Sequence, residues 1–453
     1  MGQYENPLPS SGWELFYVLK NRKDNVMKII IDGALCIMPD LTTRETSVYI
    51  DDGIIVSVGT QPQNFTADET IDGRGRLLTP GMVNAHTHAY MTVLRNRADD
   101  LDFNTWLFKK IMPAEEALSP EDAFNSALLG CAEMLTFGVT SFLDMHMFPG
   151  ASVKAAQQSG MRAVISRGLS GGADDIDGGI RRLREAREEI KEYSSLENIS
   201  FMIGPHALYT CDEKYLCEAA ETSKELGIGI NTHLAETEYE VMVCREKYGC
   251  TPAELYDRCG LLSDRTVAAH CVQLTDSDIA LLKERGVNVA VNTSSNLKLG
   301  NGFAPVGKML DAGINLCLGT DSTASNNNLS ILRELQLVTM VHKGVNLDPR
   351  SVTAKQGFMM ATANGARALF PDEKLGVIEV GAKADLALFP TDCPSMIPLA
   401  DAVSAMSYSS AGLRAETVLV NGKVVLRKGE FTGIDLEKLR SDINAAAKRL
   451  QII

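Results

Sequence analysis

The sequence predicts an α/β protein: a (β/α)8 TIM barrel carrying a small β-sandwich domain built from both ends of the chain. Three observations carry that reading. Eight apolar runs of strand length alternate with helical patterns between residues 84 and 330, close to the roughly 250 residues that such a barrel needs. Hairpin-like sequence flanks this region on both sides. The reactive residues fall at the ends of the apolar runs, where a parallel barrel builds its site.

Residues 1–26 precede a second methionine, Met27, and read as a loosely attached extension. Residues 27–83 read as the first part of the β-domain, since MKIIIDGALCIMP, SVYIDDGIIVSVG and ETIDGRGRLLTPG are aliphatic runs broken by Asp-Gly or Gly turn signals. Residues 84–375 form the predicted barrel. Its candidate strands are one ending at His88, then 140–146, 161–168, 200–206, 227–233, 266–271, 287–293 and 314–321, with helical patterns such as ASVKAAQQSG and IRRLREAREEIKEYSS between them. Hairpin vocabulary returns over 376–433, where Asn421-Gly422 is a strong two-residue turn. Residues 434–453 include the amphipathic LEKLRSDINAAAKRL, a predicted terminal helix.

At 453 residues and 45% hydrophobic content, the chain can bury a large core. Its formal net charge of −14 disfavours a polyanionic partner, because the basic segments at Lys20 to Lys23 and Arg181 to Arg187 are short and mixed with acids. Neither nucleic acid nor a membrane surface is expected as a partner. No stretch approaches the roughly 18 apolar residues of a membrane span, and the apolar run near Trp13 is too short for a secretory segment. The ten cysteines show no CxxC pair and read as free thiols in a reducing compartment, so a cytoplasmic protein is expected.

The constellation begins at PGMVNAHTHA (80–89). Two histidines at i and i+2 of a strand point to the same side, so His86 and His88 can reach one ion. The chain has seven histidines, and His86, His88, His206, His233 and His270 all stand at predicted strand ends, with Asp321 ending the eighth strand. His86, His88, His233 and Asp321 supply three nitrogens and one oxygen, a set suited to catalytic zinc or ferrous iron with one position open for water. Such an ion lowers the pKa of bound water towards 7, and the water then needs a proton acceptor. Glu236, three residues beyond His233 in His-Leu-Ala-Glu, is placed for that task, although an acid in the first turn of a helix also suits the helix dipole. His206 and His270 are read either as site residues or as hydrogen-bonded wall residues.

The set HTH, GPH (204–206), HLAET (233–237), HC (270–271) and GTDSTASNN (319–327) resembles the amidohydrolase superfamily, in its cytosine deaminase and triazine hydrolase branch. The likeness is greatest to deaminases of 5′-methylthioadenosine and S-adenosylhomocysteine, and it runs from Met27 to about Gly433. The resemblance implies one ion, zinc or iron, on His86, His88, His233 and Asp321. His206 stands where dinuclear members carry a bridging lysine. Glu236 would carry a proton to a ring nitrogen, while His270 and Asp321 orient the attacking oxygen and Asp321 helps protonate the leaving amine. Glu115 corresponds to the acid that binds ribose hydroxyls, His206 to a histidine contacting substrate, Ser325 to a serine near the substrate tail, and Arg167 to an arginine facing the pocket. After AspGlyGly the family has an arginine, whereas this chain has Ile180 followed by Arg181 and Arg182, one of which would reach a carboxylate tail. Trp106 is read equally as a pocket wall or as packing at the barrel edge. The implied partner is a small purine nucleoside, and relatives commonly form homo-oligomers.

The implied activity is hydrolytic deamination of an adenine nucleoside, giving the inosine analogue and ammonia. The HxE and CxxC pattern of cysteine-ligated deaminases is absent. An alternative is an aminohydrolase or chlorohydrolase of another ring, such as guanine, cytosine, a pterin or an s-triazine. An inactive scaffold relative is a more distant alternative, and no ligand is missing as such a protein would require.

Overall fold

The computed structural model describes residues 27–452. The sequence readings for residues 1–26 and the final residue lie outside the described part. Among the described residues the strands form two sheets.

The barrel sheet holds β6 (Met82–Thr87), β7 (Val139–His146), β8 (Arg162–Leu169), β9 (Ile199–Pro205), β10 (Gly229–Leu234), β11 (Thr266–His270), β12 (Asn288–Val291) and β13 (Asn315–Leu318). All pair in parallel and in sequence order, and a parallel bridge between Thr87 and Asp321 brings the last strand's exit against the first. Strand residues are buried on both faces, which explains why the runs read as continuously apolar. Val83, Leu143, Val164, Met202, Val267, Ala290 and Cys317 meet in one cluster, closed from one end by Ala366, Leu369 and Phe370 of the Ala363–Leu369 helix and its exit. Their strand neighbours pack outward on the helices. The helix Asp276–Arg285 shows the local logic: Thr275 and Asp278 form a capping box at its start, and Gly286, with φ of 72°, ends it.

The other sheet has nine strands and joins both chain ends. It comprises β1 (Lys28–Ile37), β2 (Thr43–Asp51), β3 (Ile54–Val58), β4 (Glu69–Asp72), β5 (Arg76–Pro80), β14 (Leu386–Pro390), β15 (Thr417–Val420), β16 (Lys423–Arg427) and β17 (Glu430–Phe431). The join is the antiparallel ladder of β5 with β14, from Leu386 opposite Pro80 to Pro390 opposite Arg76. Hydrogen bonds from Ile55 N to Ala382 O and from Gly381 N to Ile55 O, both 2.8 Å, bring the far edge back to the residues before β14, so the sheet folds over its own core. Asn421 and Gly422 take φ values of 49° and 73°, as the β15 to β16 hairpin requires. The strand-like run 376–390 becomes a strand only from Leu386, because its first half turns at Gly376 and Gly381, both at positive φ.

One buried ion pair fastens the β-sheet to the foot of the barrel. Arg162, the first residue of β8, donates from Nε to Asp385 Oδ2 at 3.1 Å, and the two side chains are 4% and 1% exposed. Asp385 also accepts from the Asn421 N–H at 2.7 Å. Removing the guanidinium leaves a buried carboxylate without its counter-charge, which costs about 3–5 kcal/mol. Arg162→Ala is therefore expected to lower unfolding free energy by that amount in chemical denaturation; a loss below about 1 kcal/mol would contradict the argument.

Candidate metal centre and catalytic pocket

The site lies where the barrel strands end. Pairing of β6 with β7 shifts register between Asn84 and Thr87, and the His86 and His88 rings stand 5.0 Å apart, nearly perpendicular at 89°. His88 donates from Nδ1 to the Met145 carbonyl at 3.0 Å, and His233 donates from Nδ1 to the His206 carbonyl at 2.7 Å. Each bond places the proton on Nδ1 and leaves the Nε2 lone pair facing inward, the arrangement that orients a metal-binding histidine. The two Nε2 atoms are 3.4 Å apart, and His88 Nε2 is 3.4 Å from Asp321 Oδ1. His86 Nε2 is 3.8 Å from the same oxygen, and neither ring nitrogen of the fully buried His86 has a hydrogen-bond partner among the described residues.

Donor atoms around a small tetrahedral ion, with bonds of about 2.0–2.1 Å, stand roughly 3.4 Å from one another. The cluster matches that spacing. It also explains the orphaned Nε2 of His86, which would otherwise be an uncompensated burial of a polar atom. These residues fit a divalent metal ion. His270 crowds the same point, since His86, His233, His270 and Asp321 also bring one donor atom each within 4.8 Å of one another. His270 differs in its anchoring: Nδ1 donates to Asn296 Oδ1 at 2.8 Å and lies 3.9 Å from Glu236 Oε1.

Electrostatics separates the groups. Burial alone would raise the Asp321 pKa, but the neighbouring imidazoles, His270 first, outweigh it and hold the carboxyl down at about 2. Burial holds His86, His88 and His233 below the usual histidine range, keeping them neutral as ligation requires. For His270, burial is outweighed by the Glu236 and Asp321 carboxylates, which raise its pKa. Burial raises the pKa of Glu236. Its Oε1 accepts from Asn301 Nδ2 at 3.0 Å, and its own N–H donates to Glu240 Oε2 at 2.8 Å. The backbone is strained where these groups sit: His270, Asp321 and Ala235 have φ values of 73°, 57° and 49°. Non-glycine residues held there cost roughly 1–3 kcal/mol each, and they cluster at functional sites.

The other expected residues divide into three groups. His206 and Ser325 join the cluster. The His206 ring is 4.7 Å from that of His233, its Nδ1 bonds Thr210 Oγ1 at 2.9 Å, and burial lowers its pKa to about 3. Ser325 Oγ donates to Asp321 Oδ2 at 2.6 Å, so it supports the carboxylate.

Glu115 and Trp106 belong to a cap over the mouth, formed by a π-helical turn Thr105–Ile111 running into the short helix Met112–Glu116. Trp106 Nε1 donates to the Ala324 carbonyl at 3.2 Å, tying this cap to the loop that carries Asp321. Buried Glu115 accepts from the Tyr90 hydroxyl, and burial lifts its pKa to about 7.

The arginines are not brought to the cluster. Arg167 sends its guanidinium to Glu189, at 2.9 and 2.7 Å, and to Glu185 at 3.3 Å, both on the helix Ile176–Tyr193. Alternation along β8 is the reason, because Ser166 beside it turns inward to Asn231 at 2.9 Å. Arg181 is exposed and pairs with Glu185 at 3.6 Å; Arg182 donates to the Ser170 carbonyl at 2.7 Å and pairs with Asp175.

Sequence reasoning missed Ser295, Asn296, Asn301 and Tyr90. Ser295 Oγ donates to Asp321 Oδ2 at 2.6 Å, matching Ser325. The three residues after β12 lie in NTSSNLKLGN (292–301), a polar run directly following an apolar strand, and that contrast was a usable signal. Tyr90, two residues past His88, carries no such mark.

The amidohydrolase family model matches residues 77–425. A 5-methylthioadenosine/S-adenosylhomocysteine deaminase of Thermoanaerobacter pseudethanolicus is 40% identical over 412 residues, covering 90% of this chain and 95% of the relative. A 5′-deoxyadenosine deaminase of Methanosarcina mazei is 38% identical over 431 residues, covering 93% and 98%. Among solved structures, a zinc-bound adenosine deaminase from Xanthomonas campestris superposes with a TM-score of 0.88 at 30% identity, covering 94% of this chain and 99% of that one. With the barrel, the strand-end cluster and these likenesses together, the chain belongs to the amidohydrolase family.

Proposed function

We propose that the protein is a zinc-dependent hydrolytic deaminase of an adenine nucleoside altered at the 5′ position, as in 5′-methylthioadenosine, S-adenosylhomocysteine or 5′-deoxyadenosine. The observation that carries this reading is the convergence of His86, His88, His233 and Asp321 within 3.4–3.8 Å contacts, with buried Glu236 beside His270, 3.9 Å from its Nδ1. The names of the two relatives support the nucleoside.

His86, His88, His233 and Asp321 are the proposed ligands; their three-nitrogen, one-oxygen set suits zinc or ferrous iron, and the zinc-bound adenosine deaminase that this chain resembles favours zinc. When bound, such an ion acts as a Lewis acid that brings the pKa of a water to about 7. The residues do the rest. Glu236, held by Asn301, takes the proton from the attacking water and delivers it to a nitrogen of the purine ring. A carboxylate whose pKa is raised by burial is suited to both halves of that transfer. His270, fixed by Asn296 and standing beside Glu236, orients the attacking oxygen. The second proton, left on the attacking oxygen once it has bonded to the ring carbon, passes by way of Asp321 to the departing amine; the carbon–nitrogen bond breaks and ammonia leaves. Glu115, with Tyr90 beside it, accepts hydrogen bonds from the ribose hydroxyls. Trp106 forms part of the cap over the mouth, and His206 contacts the base.

Purified, zinc-loaded protein is expected to release ammonia from the 5′-altered adenine nucleosides and to be much slower with guanine, cytosine or aminotriazines; no turnover of any nucleoside would defeat the reading. Glu236→Gln is expected to keep its zinc and lose about 10²–10⁴-fold in kcat. His233→Ala should lose metal and turnover together, and full retention of both by that variant would remove His233 from the ligand set. Glu115 adds a pH signature. Its folded pKa near 7 lies above the usual carboxyl value, so the hydroxyl-binding carboxylate is lost as pH falls through that value. KM for a nucleoside should therefore rise between pH 8 and 6 with kcat less affected, and Glu115→Gln should flatten the profile.

A further inference from the structure

Asp321 is gripped on its outer oxygen by two hydroxyls, and they come from different loops. Ser295 belongs to the short helix Thr293–Lys298 after β12, and Ser325 to the turn after β13. Both reach Oδ2 at 2.6 Å, so the two loops must keep a fixed spacing for Oδ1 to stay turned towards His86 and His88. Hydroxyl rotors on separate loops do not set such a spacing themselves.

Glu334 does. It lies near the start of the helix Ile331–Asn346 and is fully buried. One carboxylate oxygen accepts from the Ser294 N–H at 3.0 Å, and the other accepts from Asn326 Nδ2 at 3.1 Å. Asn326 Nδ2 also donates to the Thr320 carbonyl at 2.8 Å. Each oxygen therefore grips the residue next to a hydroxyl that holds Asp321: Ser294 precedes Ser295, and Asn326 follows Ser325. Among the described residues no lysine or arginine pairs with Glu334, so N–H donors are what compensate its burial. A carboxylate suits the position because it presents two acceptors and no donor. A glutamine there would turn an NH2 group towards one of two N–H donors.

We propose that Glu334 is a positioning residue: it couples the loops after β12 and β13 so that Ser295 and Ser325 together orient Asp321 towards the metal. The inference rests on Asp321 being a metal ligand.

The test is a cycle of zinc affinities, measured by chelator competition, with circular dichroism confirming that each variant is folded. Glu334→Gln is expected to weaken zinc binding about 10–100-fold, the usual effect of losing support behind a ligand. The double variant Ser295→Ala with Ser325→Ala should lose a similar factor. Adding Glu334→Gln to that double variant should cost nothing further, because Glu334 acts through those two hydroxyls. Asn326→Ala, which frees one arm, gives a milder second probe: it should become indifferent to Ser325→Ala and stay sensitive to Ser295→Ala. Wild-type affinity in Glu334→Gln, or a loss that adds in full to that of the double variant, would overturn the proposal. A wild-type protein that binds no zinc would instead overturn the ligand reading itself.

Discussion

Closure of the barrel is the constraint on which everything else depends. Thr87 and Asp321 pair across the seam, and the backbone N–H groups of Thr320 and Asp321 both donate to the His86 carbonyl, at 3.1 and 3.0 Å. Asn84 doubles the clasp: its amide donates to Thr320 Oγ1 at 2.8 Å and accepts from Thr320 N–H at 3.0 Å. Residues more than 230 positions apart are thereby brought together at the candidate metal centre. The fit is tight enough that Gly319 admits no side chain, since a Cβ there would lie 2.3 Å from Asn292 Oδ1 and 2.9 Å from His86 Cβ.

Dryness follows from closure and shapes the chemistry. The ligand side chains are almost wholly buried, so each charge feels its neighbours in a medium of low dielectric. That is why three imidazoles stay neutral while Asp321 stays ionised, and why Glu236 is poised to hold a proton. The strained backbone at Ala235, His270 and Asp321 belongs to the same account: the surrounding barrel over-determines those positions, and the His270 and Asp321 side chains meet in the cluster.

The cap is tied to this rigid floor. Its π-helical turn contacts the Asp321 loop through Trp106 and the Ala324 carbonyl, while Glu115 meets Tyr90, two residues beyond a ligand. No periodicity marks a π-helical turn, and the helical pattern of that stretch is broken by Pro113, so the cap is hidden from a reading by period. The arginines show the opposite failure. Arg167 stands near the end of a barrel strand, where a pocket residue is expected, but the regular alternation of β8 turns it to the helix layer and its carboxylates.

The amino-acid sequence by itself determined what is local and periodic. Eight apolar runs with helices between them dictate a parallel barrel, because a strand buried on both faces must be apolar throughout, and turn signals such as Asn421-Gly422 dictate the flanking hairpins. It also marked the candidate site residues, since histidines and an aspartate at the ends of such runs have little other reason to recur. Only the tertiary structure decided distances and partners: which nitrogen of each imidazole faces inward, which of two neighbouring strand residues faces the pocket, and that Ser295, Asn296 and Asn301 hydrogen-bond Asp321, His270 and Glu236. The reason is that these depend on backbone carbonyls and loops from separate strands meeting at the barrel mouth. Hydrogen bonds between residues so far apart in the chain leave no period or spacing to read.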